Sequence, residues 1–151
     1  MNTVTVQLWF NGECKDALQF YDRAFGAEQV GHVAIAPGGE GVLHSMVRIG
    51  DTNLMMSDAW PGLWEHGPSG SSTAGLQIYT ADCDSLFDRA KQAGCEVLQP
   101  VEDMFWGDRM GKLKDPYGHC WVVATHKYVL TPEEMEDGQQ RWLSSLDTPT
   151  G

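Results

Sequence analysis

Residues 4–10 read Val-Thr-Val-Gln-Leu-Trp-Phe and residues 75–80 read Gly-Leu-Gln-Ile-Tyr-Thr, and the likeness between the two stretches decides the fold. In the first, Val4, Val6, Leu8 and Phe10 alternate with Thr5, Gln7 and Trp9, the period of a half-buried strand. In the second, Leu76, Ile78 and Thr80 alternate with Gln77 and Tyr79. Each is followed by a helical stripe that ends in glycine. Cys14, Ala17, Leu18, Tyr21 and Phe25 precede Gly26, and Cys83, Leu86, Phe87 and Ala90 precede Gly94, with Asp82 placed as an N-cap. Gln29–Ala36, Val42–Ile49 and Asn53–Ser57 then read as three strands separated by Pro37-Gly38-Gly39 and by a Gly50-Asp51 turn, and that turn corresponds to Asp115-Pro116-Tyr117-Gly118 in the second half. The two halves keep an offset of 67 to 70 residues across strand, cap and turn. Chance similarity would not hold one offset through three kinds of element, so the chain is an internal repeat of βαβββ units.

The expected architecture is therefore α+β, with two tandem βαβββ modules. Residues 1–130 form one domain, with module one at about 3–58, a linker at 59–74 and module two at about 75–126. Thr131-Pro132-Glu133-Glu134 supplies an N-cap, a first-turn proline and a capping-box glutamate, so 131–146 should be a helix with Met135 and Trp142 docked on the domain. Residues 147–151 are expected to be a flexible tail. The linker is rich in Gly, Ser and Pro yet carries Trp60, Trp64 and His66. It reads as a lid, as a segment packed on a partner, or as a loop whose tryptophans fill local gaps.

At 151 residues the chain is long enough for one real core. Its 21 acidic against 10 basic residues, net charge −11, exclude nucleic-acid binding, which depends on clustered Lys and Arg. No apolar run approaches a membrane span. Cys14, Cys83, Cys95 and Cys120 contain no Cys-x-x-Cys pair, and the start of the chain runs straight into the alternating segment. A cytoplasmic location with free thiols is the expectation.

Phe105-Trp106-Gly107-Asp108-Arg109, Asp115-Pro116-Tyr117-Gly118-His119, Trp121 and Thr125-His126 follow one another in a set order, after Phe10-Asn11-Gly12, Ile49-Gly50-Asp51 and Met55-Met56-Ser57-Asp58. With the doubled module, this resembles the vicinal oxygen chelate (glyoxalase/bleomycin resistance protein/dioxygenase) superfamily, and its PhnB-like branch in particular, over residues 4 to 146, and the resemblance implies that the two modules form curled mixed sheets around a cleft. The resemblance implies a divalent metal held by four side chains, one from the first and one from the fourth strand of each module. The matching first-strand positions are Thr5 and Gly75, or Gln7 and Gln77 two residues on. Those of the fourth strands are Met55 and Val122. Methionine and valine do not hold such an ion, so no metal is expected and the usual metal chemistry is absent. No Gly-rich loop follows the first strand, so no adenosyl cofactor is expected either.

If strand alternation holds, Gln7, Trp9, Met55, Ser57, Gln77, Tyr79, Cys120 and Val122 share the cleft, near His44, Met46 and Arg48. Aromatic walls with a few polar groups resemble a ligand pocket, and Gln7, Trp9, Met55, Ser57, Gln77, Tyr79, Trp106 and Val122 are its candidate binding residues. Trp106 could stack a planar ligand or seal the module junction. His44 and Arg109 are the candidates for acid/base and anion-contact roles. No nucleophile is assigned. Three readings stand side by side: a small-molecule-binding protein without a metal, a lyase or isomerase with a displaced site, and a scaffold with no dedicated ligand. The resemblance also implies a homodimer, and six tryptophans would suit its interface.

Overall fold

The computed structural model describes residues 1–146; the expected tail at 147–151 lies outside them. The first module runs β1 (Val6–Phe10), α1 (Cys14–Phe25), β2 (Glu28–Gln29), β3 (Ala34–Ile35), β4 (Val42–Ile49) and β5 (Thr52–Asp58). The second runs β6 (Gly75–Tyr79), α2 (Cys83–Ala93), β7 (Glu96–Asp103), β8 (Asp108–Lys114) and β9 (Cys120–His126). A final helix, α3, spans Pro132–Leu146. The fold is α+β with two mixed sheets, ordered β1-β5-β4-β2 and β6-β9-β8-β7, and neither sheet closes on itself. In each, the first strand lies parallel to the last and the remaining pairs are antiparallel.

The helix ends follow their local chemistry. Gly26 adopts φ 70°, its N–H donates to the Asp22 carbonyl and the following Ala27 N–H to that of Tyr21, the left-handed turn that a Cβ would disfavour. At α2 the Asp82 carboxylate accepts the Ser85 N–H. At α3 the Glu134 N–H donates to Thr131 Oγ1 and the Thr131 N–H to Glu134 Oε1, a reciprocal capping box.

Two expectations need correction. The single strand expected over Gln29–Ala36 is two short pieces, β2 and β3, both antiparallel to β4, because Gly31 takes φ 73° and turns the chain between them. The α3 helix docks more lightly than expected: Gly138 is its one buried residue, lying against Phe105, and Trp142 stacks on the Phe105 ring at 5.6 Å, while Met135 stays exposed.

Each sheet turns one face to its helix, and the two helices pack together, so the modules share a core. Phe10, Phe20, Tyr21, Phe25, Tyr117 and Trp121 form a network of edge-on and tilted ring contacts, the tightest being Phe25 on Trp121 at 4.5 Å. The Asp-Pro-Tyr-Gly-His hairpin locks this junction. Buried Asp115 accepts bonds from Tyr21 Oη in α1, from Trp121 Nε1 at 2.9 Å, and from the backbone N–H groups of Tyr117 and His119 at 2.9 and 3.0 Å. His119 Nε2 lies 2.8 Å from the carbonyl of Trp9 and must carry the proton, since a carbonyl only accepts. A motif that reads as turn chemistry thus also fastens the second module to the first. Among the described residues, no helix is long and apolar enough to cross a membrane.

Candidate functional site

The face of each sheet turned away from its helix is open, and strand register decides which side chains meet there. In the first module Gln7 stands opposite Met55 and Trp9 opposite Ser57, with Met46 of β4 across from Met55. Gln7 Nε2 donates to Ser57 Oγ at 3.0 Å and to the Leu8 carbonyl at 3.1 Å. Trp9 meets Trp64 of the linker edge-on at 5.2 Å, although Trp64 itself is 80% exposed. The linker therefore lies across the end of this open face, pinned where Asn11 bonds the Pro68 carbonyl and the Gly67 N–H. His44 falls on the same face as Met46 by alternation; it is exposed and has no hydrogen-bond partner among the described residues.

In the second module Gln77 stands opposite Val122, and Tyr79 opposite Ala124. Tyr79 Oη donates to Asp108 Oδ2 at 2.8 Å, and Trp106 Nε1 donates to the same oxygen at 3.1 Å. His126 Nδ1 lies 2.8 Å from Asp108 Oδ1. Asp108 is 4% exposed. Burial alone would raise its pKa, but the bonds from His126, Tyr79 and Trp106 outweigh that and hold the carboxyl below its ordinary value. The carboxylate is thus ionised, so His126 Nδ1 carries a proton. The bond to this carboxylate, above all, raises the pKa of the Tyr79 phenol. Trp106 also packs edge-on against Phe105 at 4.9 Å, so it braces this cluster.

Arg109 sits elsewhere. Strand alternation turns it toward α2, where its guanidinium forks onto both carboxylate oxygens of Asp84 and reaches Asp103 at 3.2 Å. It ties α2 to the sheet, and both acids keep it protonated. The geometry does not bring it together with His44, nor with the polar groups of the open faces. A groove of about 690 Å³ runs between the modules, with Val6, Thr52 and Leu54 on one side and Gln77 and Tyr79 on the other.

The four positions at which the resemblance implies a metal fall into two register pairs, Gln7 with Met55 and Gln77 with Val122. Thr5 precedes β1, and Gly75 pairs with Cys120. A thioether and an isopropyl group offer no suitable donor, so of these four positions only Gln7 and Gln77, one in each module, carry an oxygen that could face an ion. These residues do not fit a divalent ion. Among the described residues, no group of three or more His, Cys, Asp or Glu side chains could hold one elsewhere. Thiolate chemistry is equally disfavoured at Cys14 and Cys95, whose pKa values burial pushes up to about 12, with nearby carboxylates adding to it.

Asp108 and His126 were missed as a pair. They lie 18 residues apart, and only hairpin register joins them. The signal was present: counting outward from the Asp115–Gly118 turn pairs Lys114 with Cys120 and, six steps on, Asp108 with His126.

Comparison with known proteins agrees with this geometry. An uncharacterized protein of Mycobacterium bovis is 35% identical over 130 residues, 82% of this chain and 84% of that protein. Two solved structures superpose closely: a gene product of Arabidopsis thaliana, at 26% identity and TM-score 0.67, covers 82% of this chain and 98% of its own. The PhnB protein from Bacillus cereus, at 18% identity and TM-score 0.66, covers 82% and 99%. The family model of the Glyoxalase/Bleomycin resistance protein/Dioxygenase superfamily matches residues 6–123, which takes in both βαβββ modules up to the middle of β9. Doubled module, open sheet faces and family match converge, and the chain belongs to the glyoxalase/bleomycin resistance protein/dioxygenase superfamily.

Proposed function

We propose that this chain is a metal-independent small-molecule-binding member of its superfamily, within the PhnB-like branch, and that residues 1–130 form its functional unit. The observation that carries the reading is the pairing of Gln7 with Met55 and of Gln77 with Val122 at the positions where a metal tetrad would stand. Those pairs replace charged ligands with amides and apolar groups, flanked by Trp9 and Tyr79, a lining suited to orienting an uncharged or weakly polar organic ligand. The branch assignment draws on the ordered motif from Phe105 to His126 and on the likeness to the Bacillus cereus PhnB protein. A reducing, cytoplasmic setting suits four free cysteines.

A thermal-shift series of small planar compounds in chelator-containing buffer tests the reading. A ligand at about 100 times its Kd adds about 2.7 kcal/mol, roughly 5–10 °C for a chain of this size. A series in which nothing stabilises the protein favours a scaffold instead. Trp9→Ala and Tyr79→Ala are expected to weaken a bound hit at least about tenfold while leaving unfolding within roughly 1 kcal/mol of wild type, since Tyr79 is 58% exposed and Trp9 half-buried. Losses of roughly 3–5 kcal/mol would make both residues core.

The ligand site is completed in a symmetric homodimer. β1 and β6 are both terminal strands of their sheets, each with an unpaired edge beside the inter-module groove, and a second copy can cover them. Light scattering should give twice the 16.7 kDa chain mass. A mass of 16.7 kDa that holds on concentration rules the dimer out.

A further inference from the structure

The Asp108 cluster leaves one polar ring atom turned toward solvent. Asp108 Oδ2 is already satisfied by Tyr79 and Trp106, yet Oδ1 takes a further bond from His126, whose side chain remains 54% exposed. Here the ring stands half in solvent. Its Nδ1 is committed as donor, and its Nε2 meets no hydrogen-bond partner among the described residues. In its neutral form, an imidazole held in that tautomer presents the Nε2 lone pair outward. Around it, the Tyr79 ring is 58% exposed, and Gln77 and Val122 continue the same face along β6 and β9. The other charged and titratable groups that register places on this face are Asp108, Tyr79, Lys112 at the level of Val122, Lys114 and Cys120 further along β8 and β9, and Glu102 and Glu96 of β7, the last paired with Lys114.

We propose that His126 is the proton acceptor of a hydroxyl-recognition site on the open face of the second module, oriented by Asp108, and that the site takes phenols or enols. This rests on the small-molecule reading above and names its ligand class. The ligand hydroxyl donates to Nε2 while its ring or enol plane packs on Tyr79. On full transfer the ligand O–H bond breaks and a bond forms between that proton and Nε2. The electron pair stays on oxygen as phenolate or enolate, and the Asp108 carboxylate stabilises the imidazolium. Release reverses the step. Asp108 acts through His126 and is a positioning residue.

The test uses p-nitrophenol and its methyl ether p-nitroanisole, which has the same ring without the proton, in buffer below the pKa of the phenol. Wild-type protein should bind p-nitrophenol with growth of the phenolate absorption band and should bind p-nitroanisole at least about tenfold more weakly. H126Q should abolish the band and lose about tenfold in affinity. D108N, which no longer fixes the tautomer, should weaken the band while long-range proton–nitrogen NMR shows the His126 proton shifting from Nδ1 toward Nε2. Equal binding of the two probes, binding without the phenolate band, or unchanged binding by H126Q overturns the inference and leaves the pocket reading standing. Failure of both probes to bind also overturns it, and the thermal-shift series then decides the pocket reading separately. Should H126Q fail to fold, the probe comparison on wild-type protein decides alone.

Discussion

Asp115→Ala should lower the stability of this protein by roughly 3–5 kcal/mol, about 10–15 °C in Tm, the largest effect expected of a polar substitution here. The carboxylate is 3% exposed and accepts four hydrogen bonds. Removing it strands the Tyr21 hydroxyl and the Trp121 indole N–H, both on residues at most 1% exposed, where water cannot replace the lost acceptor. Each such buried donor costs about 1–3 kcal/mol, and the hairpin loses two backbone bonds besides. Because Tyr21 belongs to α1 and the hairpin to the second module, the loss falls on the junction itself. Thermal and denaturant unfolding followed by tryptophan fluorescence measures it. A change below about 1 kcal/mol would show that Asp115 is not the lock described here.

Gly107→Ala is the second large effect, at roughly 3–4 kcal/mol. Gly107 takes φ 98°, and an added Cβ would collide with the backbone oxygen of Tyr128. The Gly107 carbonyl also accepts the Lys127 and Tyr128 N–H groups at 2.8 and 3.0 Å, so the chain after β9 cannot simply move aside. A backbone clash of that kind is relieved only by breaking those bonds, which would displace Trp106 and Asp108 on either side. Calorimetry should show the loss of stability, and ligand binding at the second open face should fall with it. A fully stable variant would mean that residues 127–130 are not held as the structure has them.

The legible parts of this fold were those decided within a few residues. Gly26 and Gly94 ended helices as cap chemistry demands, and Thr131 with Glu134 formed the capping box that their spacing implied. Period-2 alternation also placed Leu8 and Phe10 inward and left Gln7 and Trp9 less buried. What was not legible depended on partners distant in sequence. Gly31 could have been a tolerated strand residue, and only its pairing geometry with β4 makes it a break between two short strands. Arg109 has a charge that suits an anionic ligand, but its side of the sheet follows from the β8 register, and that register turns it onto Asp84. Asp108 and His126 stand in separate motifs, and only the hairpin register, counted outward from its turn, joins them.

The same contrast shapes the functional reading. One scaffold can host many chemistries, so function is argued from the side chains its faces carry. The open faces here carry Gln7 beside Met55 and Gln77 beside Val122, with the Asp108–His126 pair further along the second sheet.

Elemental analysis of protein purified without a polyhistidine tag decides whether the open faces hold a metal. The expected content is well below about one-tenth of an equivalent of zinc, nickel, iron or manganese, with no metal regained on incubation, because a thioether and an isopropyl group stand where donors are required. One equivalent of any of these metals, lost on Gln7→Ala or Gln77→Ala, would contradict it.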